Sequence, residues 1–223
     1  SIETAQYKPA DYYYNQGKDA EKQGDYGKAY EFYSRARDYD CIRFRASTDI
    51  NKIIRRLANE YKAHFVPTLA LFEAVSPNRL IGNNLLTEHV HPNVNGQFLL
   101  ADAFYQKIVV DGIIAPQVNE YTVEPPEYYL INYGYTELDR LIGYHRITNL
   151  SYHWPFRDDT KEYIDYRLIY QPVSYTDSLA FFVMARKGFN GADAHMKLAE
   201  YYANRQDYYN AFREYNALVK LNP

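Results

Sequence analysis

A single cysteine, Cys41, excludes an intrachain disulfide framework and any cysteine-rich zinc site. No apolar run approaches the roughly 18 residues that a membrane-crossing helix needs, so no membrane span is expected in this segment. Neither sign of charge is in large excess. The 25 Lys and Arg stand against 28 Asp and Glu, a formal net of -3, which gives no electrostatic basis for binding nucleic acid or an anionic membrane. The charged fraction of 24% is nevertheless close to the globular norm of about 25%, which argues against disorder. Also missing are an initiator methionine, a basic-then-apolar leader and a small-residue cleavage site. The chain opens Ser1-Ile2-Glu3-Thr4 and stops at Leu221-Asn222-Pro223 just after a helical pattern, so both ends are expected to be cuts through a longer protein. The compartment is therefore not legible. What is abundant is tyrosine: 26, against 11 Phe and 1 Trp, in a chain of 223 residues that is long enough to bury a core.

Residues 9 to 40 read as two helical stretches that meet at Gln23-Gly24-Asp25-Tyr26, a helix-stopping glycine followed by a polar restart. Gly17, Ala29 and Ala36 fall where two antiparallel helices would approach closely, with Tyr13, Tyr26 and Tyr33 filling the space around them. Ala29, Tyr33 and Ala36 share one helical face at i, i+4 and i+7. Small and aromatic residues at Tyr13, Gly17, Ala29, Tyr33 and Ala36 resemble the tetratricopeptide repeat, whose period is roughly 34 residues. A second match covers 194 to 223, with Leu198, Ala199, Tyr202, Ala211, Tyr215 and Pro223 on the repeat pattern. It departs at Gln206, where a glycine is usual, and at Leu218, where a small residue is usual. A plain helical hairpin is the alternative reading of both. Such a unit cannot bury its apolar face alone, so each hairpin is expected to pack on something from residues 41 to 190, and the second to begin an array continuing past Pro223.

Between the hairpins, Ile50, Ile53, Ile54, Leu57, Ala58 and Tyr61 predict an amphipathic helix over 46 to 63. His64 to Leu69 reads as a short strand, restricted by Pro67 to an edge or strand end. A short helix at 71 to 75, a turn-rich loop SPNRLIGNN and a helix over 96 to 111 follow, with Leu100, Ala103, Phe104 and Ile108 on one face. Helix, strand, loop, helix is a piece of an α/β layer. The stretch 112 to 135 reads as irregular. Thr136 with Asp139 predicts a capped helix carrying Leu138, Leu141, Ile142 and His145. Tyr166 to Tyr170 reads as a strand, and Ser174 with Asp177 caps a helix through Leu179, Phe182 and Val183 that stops at Gly188. No chemical motif attaches to this middle segment.

One loop carries chemistry. Leu86-Thr87-Glu88-His89-Val90-His91-Pro92-Asn93 places an acid three residues before a histidine, then Pro-Asn, then a helix with Asn95-Gly96 at its start. Together with CIRFRASTDINKIIRRLA (41 to 58) and SPNRLIGNNLLTEHVHPNVNGQFLLADAFY (76 to 105), it resembles the last part of SGNH (GDSL-type) hydrolases. The combination is similar to a bacterial subgroup in which tetratricopeptide helices are inserted just before that last part. The resemblance implies a flavodoxin-like α/β sheet and a catalytic triad in which His91 is the general base and Glu88 holds its second ring nitrogen. The family's usual acid is Asp, one methylene shorter. The family's nucleophilic Ser and its oxyanion Gly and Asn belong to earlier blocks, and no Gly-Asp-Ser motif occurs in this chain. These residues alone are therefore expected to perform no acyl transfer.

Plainer readings stand beside these. His91-Pro92 suits a structural turn, and Glu88, His89 and His91 suit a metal triplet but lack further His or Cys neighbours. His64, His145, His153 and His195 are scattered, as structural or surface residues are. Arg43-Phe44-Arg45 and Arg55-Arg56 interleave charge and aromatics as some RNA binders do, but Asp38, Asp40 and Asp49 beside them favour a solvated helix entry. Tyrosine pairs such as Tyr201-Tyr202 could line a peptide or carbohydrate groove or could pack between helices.

The expected chain is mostly α-helical with an α/β fragment: tetratricopeptide-like hairpins flanking an incomplete flavodoxin-like SGNH segment. Its divisions are a hairpin over 9–45, the C-terminal part of an SGNH-type domain over 46–118, a helical linking region over 119–190 and a truncated repeat over 191–223. Function is expected as a protein or peptide interaction scaffold with Tyr202 and Tyr215 as partner-binding residues, without cofactor, metal or nucleic acid. The alternative is the part of an SGNH esterase that supplies the His and acid. The open edge of the strand at 64 to 69 is expected to be covered by helices or paired between chains as a homo-oligomer.

Overall fold

The computed structural model describes residues 9–42, 44–114, 124–153, 156 and 164–221. It divides into two compact units, Ser1–Glu120 and Tyr121–Pro223. The described residues are mostly helical, and no β-strand occurs among them.

The first unit opens with a helical hairpin, α1 (Ala10–Lys22) and α2 (Tyr26–Asp38). Gly24 closes the turn at a positive φ of 77°, a conformation glycine adopts without steric cost. The Asp25 carboxylate then accepts from the Lys28 amide to cap α2. Ala20, Ala29 and Ala36 are buried along the seam. Gly17 lies under the Tyr33 ring so closely that an added Cβ would sit 2.7 Å from it. Tyr13 stacks on Tyr39, but Tyr26, expected in the seam, is exposed instead.

α3 (Thr48–Glu60) starts where Ser47 accepts from the Ile50 amide. Its apolar stripe Ile50, Ile53, Ile54 and Leu57 is exposed, and no residue of the helix is buried. The strand expected at 64 to 69 does not form. Lys62 turns left-handed at φ 53°, the Ala63 amide returns to the Ala58 carbonyl, and α4 (Thr68–Val75) begins directly after Pro67. A strand is held by its partners, and this segment has no partner strand among the described residues. The flavodoxin-like sheet and the strand edge proposed for pairing between chains are accordingly not part of the described structure. A 3-10 turn at Pro77–Arg79 leads through the loop to α5 (Val94–Val110), capped by Asn93. Glu73 of α4 is buried but satisfied, accepting from the Tyr30 hydroxyl and from Arg79, each at 2.7 Å.

In the second unit, a segment expected to be irregular contains α6 (Pro126–Tyr133). Pro126 occupies the first turn, where its missing N–H costs nothing, so the proline pair starts a helix here. Gly134 ends it at φ 86°, against the backbone of Ala217. α7 (Glu137–Ser151) has the expected reciprocal capping box between Thr136 and Asp139. The strand expected at 166 to 170 is a single helical turn, α8 (Tyr166–Ile169), started by the Asp165 carboxylate on the Arg167 amide. α9 (Tyr175–Ala185), α10 (Gly191–Ala203) and α11 (Tyr208–Leu221) complete the chain. Leu138 and Ile142 of α7, Leu179 and Ala180 of α9, and Ala194 and Leu198 of α10 form one buried cluster. α10 and α11 make a second hairpin, in which Ala199, Ala211 and Ala217 are buried.

Candidate functional site

The Glu88–His91 loop is built by backbone closure. The Asn93 amide donates to the Leu85 carbonyl (2.9 Å), the Thr87 amide to the His91 carbonyl (2.8 Å), and Leu86 and Pro92 form an isolated antiparallel bridge. Asn93 then serves both sides, its side chain accepting from the Gly96 amide and donating to the Asn83 carbonyl. Gly96 is required: a Cβ there would lie 2.1 Å from the Leu85 carbonyl oxygen.

Within this loop Glu88 is the organising group. Its carboxylate accepts from the amides of His91 (2.8 Å) and Val90 (3.2 Å), while the Nδ1 atoms of His91 and His89 both approach its oxygens. The Glu88 side chain is only 9% exposed and that of His91 is 74% exposed, so the pair has a sheltered acid and an accessible ring. Burial opposes the charge on Glu88, but the His91 amide and ring, the Val90 amide and the nearby His89 outweigh it and hold the carboxyl below its usual range. The carboxylate therefore stays ionised near neutral pH. With Nδ1 on Glu88, Nε2 of His91 makes no hydrogen bond among the described residues. A ring held this way can take a proton from an incoming hydroxyl and have the resulting positive charge stabilised from behind. No serine hydroxyl bonds to His91 among the described residues, and no group of three or more His, Cys, Asp or Glu there is arranged to hold a metal.

Tyr202 and Tyr215 belong to the second unit. Tyr202 packs on the α7–α9–α10 cluster and meets Tyr201 edge-on. Tyr215 lies on an exposed face of α11 with Tyr208, Phe212 and Val219.

Two buried histidine clusters carry no sequence motif. His145, with no exposed side-chain surface, has Nε2 2.8 Å from Asp177 Oδ1 and Nδ1 3.0 Å from the Tyr166 hydroxyl. Asp177 Oδ2 also accepts from the Tyr170 hydroxyl and the Val173 amide, each at 2.8 Å. Burial raises the Tyr170 hydroxyl to about 12, helped by its bond to the Asp177 carboxylate. His195 is 1% exposed and has a carboxylate at each nitrogen: Glu214 at 2.6 Å from Nδ1 and Asp139 at 3.2 Å from Nε2. A ring facing two carboxylates must donate from both nitrogens. Burial opposes the charge on His195, but the two acids raise it to about 9. The Thr136 hydroxyl also donates to Glu214, which ties the start of α7 to α10 and α11. The available signal was a histidine within an apolar stripe: His145 follows Leu138 and Ile142 at i+7 and i+3, and His195 precedes Leu198 and Ala199. Both histidines are closed to solvent, while Asp139 at the edge of the second cluster is 29% exposed, and the clusters act as polar staples between helices.

No protein-family model matches the chain, and neither the curated proteins nor the solved structures contain a match.

Proposed function

We propose that the chain carries the histidine–acid half of an SGNH-type acyl-hydrolase site within a protein whose tetratricopeptide-like helical hairpins bind a peptide or protein partner. The observation that carries the hydrolytic reading is the accessible His91 ring with the ionised Glu88 carboxylate on its Nδ1. In this reading His91 Nε2 takes the proton of a serine hydroxyl as it attacks an ester carbonyl. It then returns the proton to the departing alkoxide, and Glu88 stabilises the imidazolium between the two steps. The longer Glu side chain, in place of the family's Asp, still reaches the ring. The serine and the oxyanion donors would come from a segment outside these residues. The test uses a chain extended to include a Gly-Asp-Ser-type segment, assayed with p-nitrophenyl acetate. His91→Ala is expected to remove activity and Glu88→Gln to reduce it; equal rates for wild type and His91→Ala would end the hydrolytic reading.

The scaffold reading rests on the exposed face Tyr208, Phe212, Tyr215 and Val219 of α11, a valine and three aromatic side chains of the kind that anchor protein interfaces. Truncating Tyr215 is expected to weaken capture of a partner while leaving the helical circular dichroism unchanged. Truncating Tyr202, which packs on the core, is expected to disturb the fold as well. Undiminished capture by a folded Tyr215→Ala chain would count against a site there.

A further inference from the structure

An open cleft of about 860 Å³ lies between α2 and α3 in the first unit, with Leu69 also among its lining residues. Its volume falls within the range of small-molecule sites, roughly 300–1,000 Å³. Helical spacing explains its lining. Lys52, Arg55, Arg56 and Asn59 recur at i, i+3, i+4 and i+7 along α3, opposite the apolar stripe, while α2 contributes Ser34 and Arg35 from the facing wall. Glu31 is the one carboxylate among the described lining residues.

The charges divide into engaged and unengaged groups. Arg37 is tied to Asp38 (3.3 Å) and donates to the Thr48 hydroxyl (2.7 Å), and Lys52 pairs with Asp49 at 3.2 Å. Arg35, Arg55 and Arg56 have no carboxylate partner among the described residues. Two of them lie over rings: Arg35 over Tyr13 at 6.0 Å and Arg55 over Phe65 at 5.9 Å. A guanidinium resting on a ring face keeps its N–H edge available, and that edge fits two oxygens of one oxyanion. In a chain with an acidic balance, three unpaired guanidiniums around one cleft create a local field that selects anions.

We propose that this cleft binds a small ligand bearing a diphosphate group. A diphosphate carries several negative charges and acceptor oxygens close together, which suits a cleft where three arginines are free of carboxylate partners among the described residues and Glu31 is the one acid. Its oxygens can also accept from the Ser34 hydroxyl and the Asn59 amide. The diphosphate could be free or carried on a nucleoside, and the two sources share the same recognition chemistry.

The test is calorimetric titration of the chain with inorganic pyrophosphate at low ionic strength. The comparisons are ADP, orthophosphate and tricarballylate, the last a trianion without phosphorus. Saturable pyrophosphate binding is expected, weakened by about ten-fold or more in Arg55→Gln/Arg56→Gln. Arg205→Gln, in the other unit, is expected to bind like wild type. Both cleft arginines sit on exposed helix surface, so the variant keeps its fold, as circular dichroism will check; Arg35→Gln on α2 provides a second, independent loss. ADP competing with pyrophosphate identifies a nucleotide-borne group, and ADP failing to compete identifies the free diphosphate. Absence of saturable binding, equal affinity in the double variant, or equal affinity for tricarballylate overturns the proposal.

Discussion

Single side chains decide whether the Glu88–His91 loop holds its shape. Gly96→Ala would place a methyl group against the Leu85 carbonyl oxygen, a backbone atom that cannot move without opening the loop. The variant is expected to lose about 1–3 kcal/mol, read as a lower urea midpoint at unchanged slope; an unchanged midpoint would mean the loop yields freely. Asp177→Ala removes the acceptor shared by His145, Tyr170 and the Val173 amide, leaving buried donors unpaired. A loss exceeding about 2 kcal/mol is expected by the same measurement. His195 gives a pH signature. Its folded value is raised to about 9 from an ordinary value of 6.5, so its contribution is fully present below pH 6.5 and lost as pH rises through 9. Asp139 works the other way: burial opposes its charge, but His195 and Thr136 hold it below its usual range, so its contribution is lost in acid. Thermal midpoints are expected to fall between pH 6.5 and 9, and His195→Gln should flatten that decline. A wild-type midpoint constant across this range would contradict a charged, buried His195.

Helices differ in how firmly they are held. α10 buries Ala194, His195, Leu198 and Ala199, whereas α3 buries nothing. Amide exchange in α3 is expected to be at least about ten-fold faster than in α10, because few buried contacts oppose its opening; comparable protection would require a cover on the Ile50–Leu57 stripe. The same contrast explains what was legible in the sequence. The Thr136–Asp139 box, the Ser174 cap and the Gly24 turn use residues a few positions apart, and all three form as read. The strands read at 64 to 69 and 166 to 170 depended on partners that no local pattern supplies. α6 was hidden because Pro125-Pro126 reads as a breaker, although a proline in the first turn is a helix starter. The Glu88–His91 spacing was legible, but the closure by Asn93 and Gly96 that presents the ring was not. Nor were the two buried histidine clusters, which join residues from separate helices.

At the scale of the whole chain, the tyrosines turn out to serve several purposes. Tyr13 and Tyr39 stack near the first hairpin, Tyr175 and Tyr201 stack between α9 and α10, and Tyr166 and Tyr170 hydrogen-bond within the His145–Asp177 cluster. Others, including Tyr208 and Tyr215, remain exposed on α11. The two units thus carry separate assets: an acid-held histidine and a cationic cleft in the first, a stapled helical hairpin in the second. The central proposal is that His91 would act as a general base if a serine nucleophile were supplied to its ring. Its most direct test is the rate of p-nitrophenyl acetate hydrolysis by a chain extended to include a Gly-Asp-Ser-type segment, wild type against His91→Ala. The account predicts a fall of about 10²-fold or more in kcat/KM for a folded variant, with this chain alone no faster than free imidazole. Equal rates for the two extended proteins would contradict it.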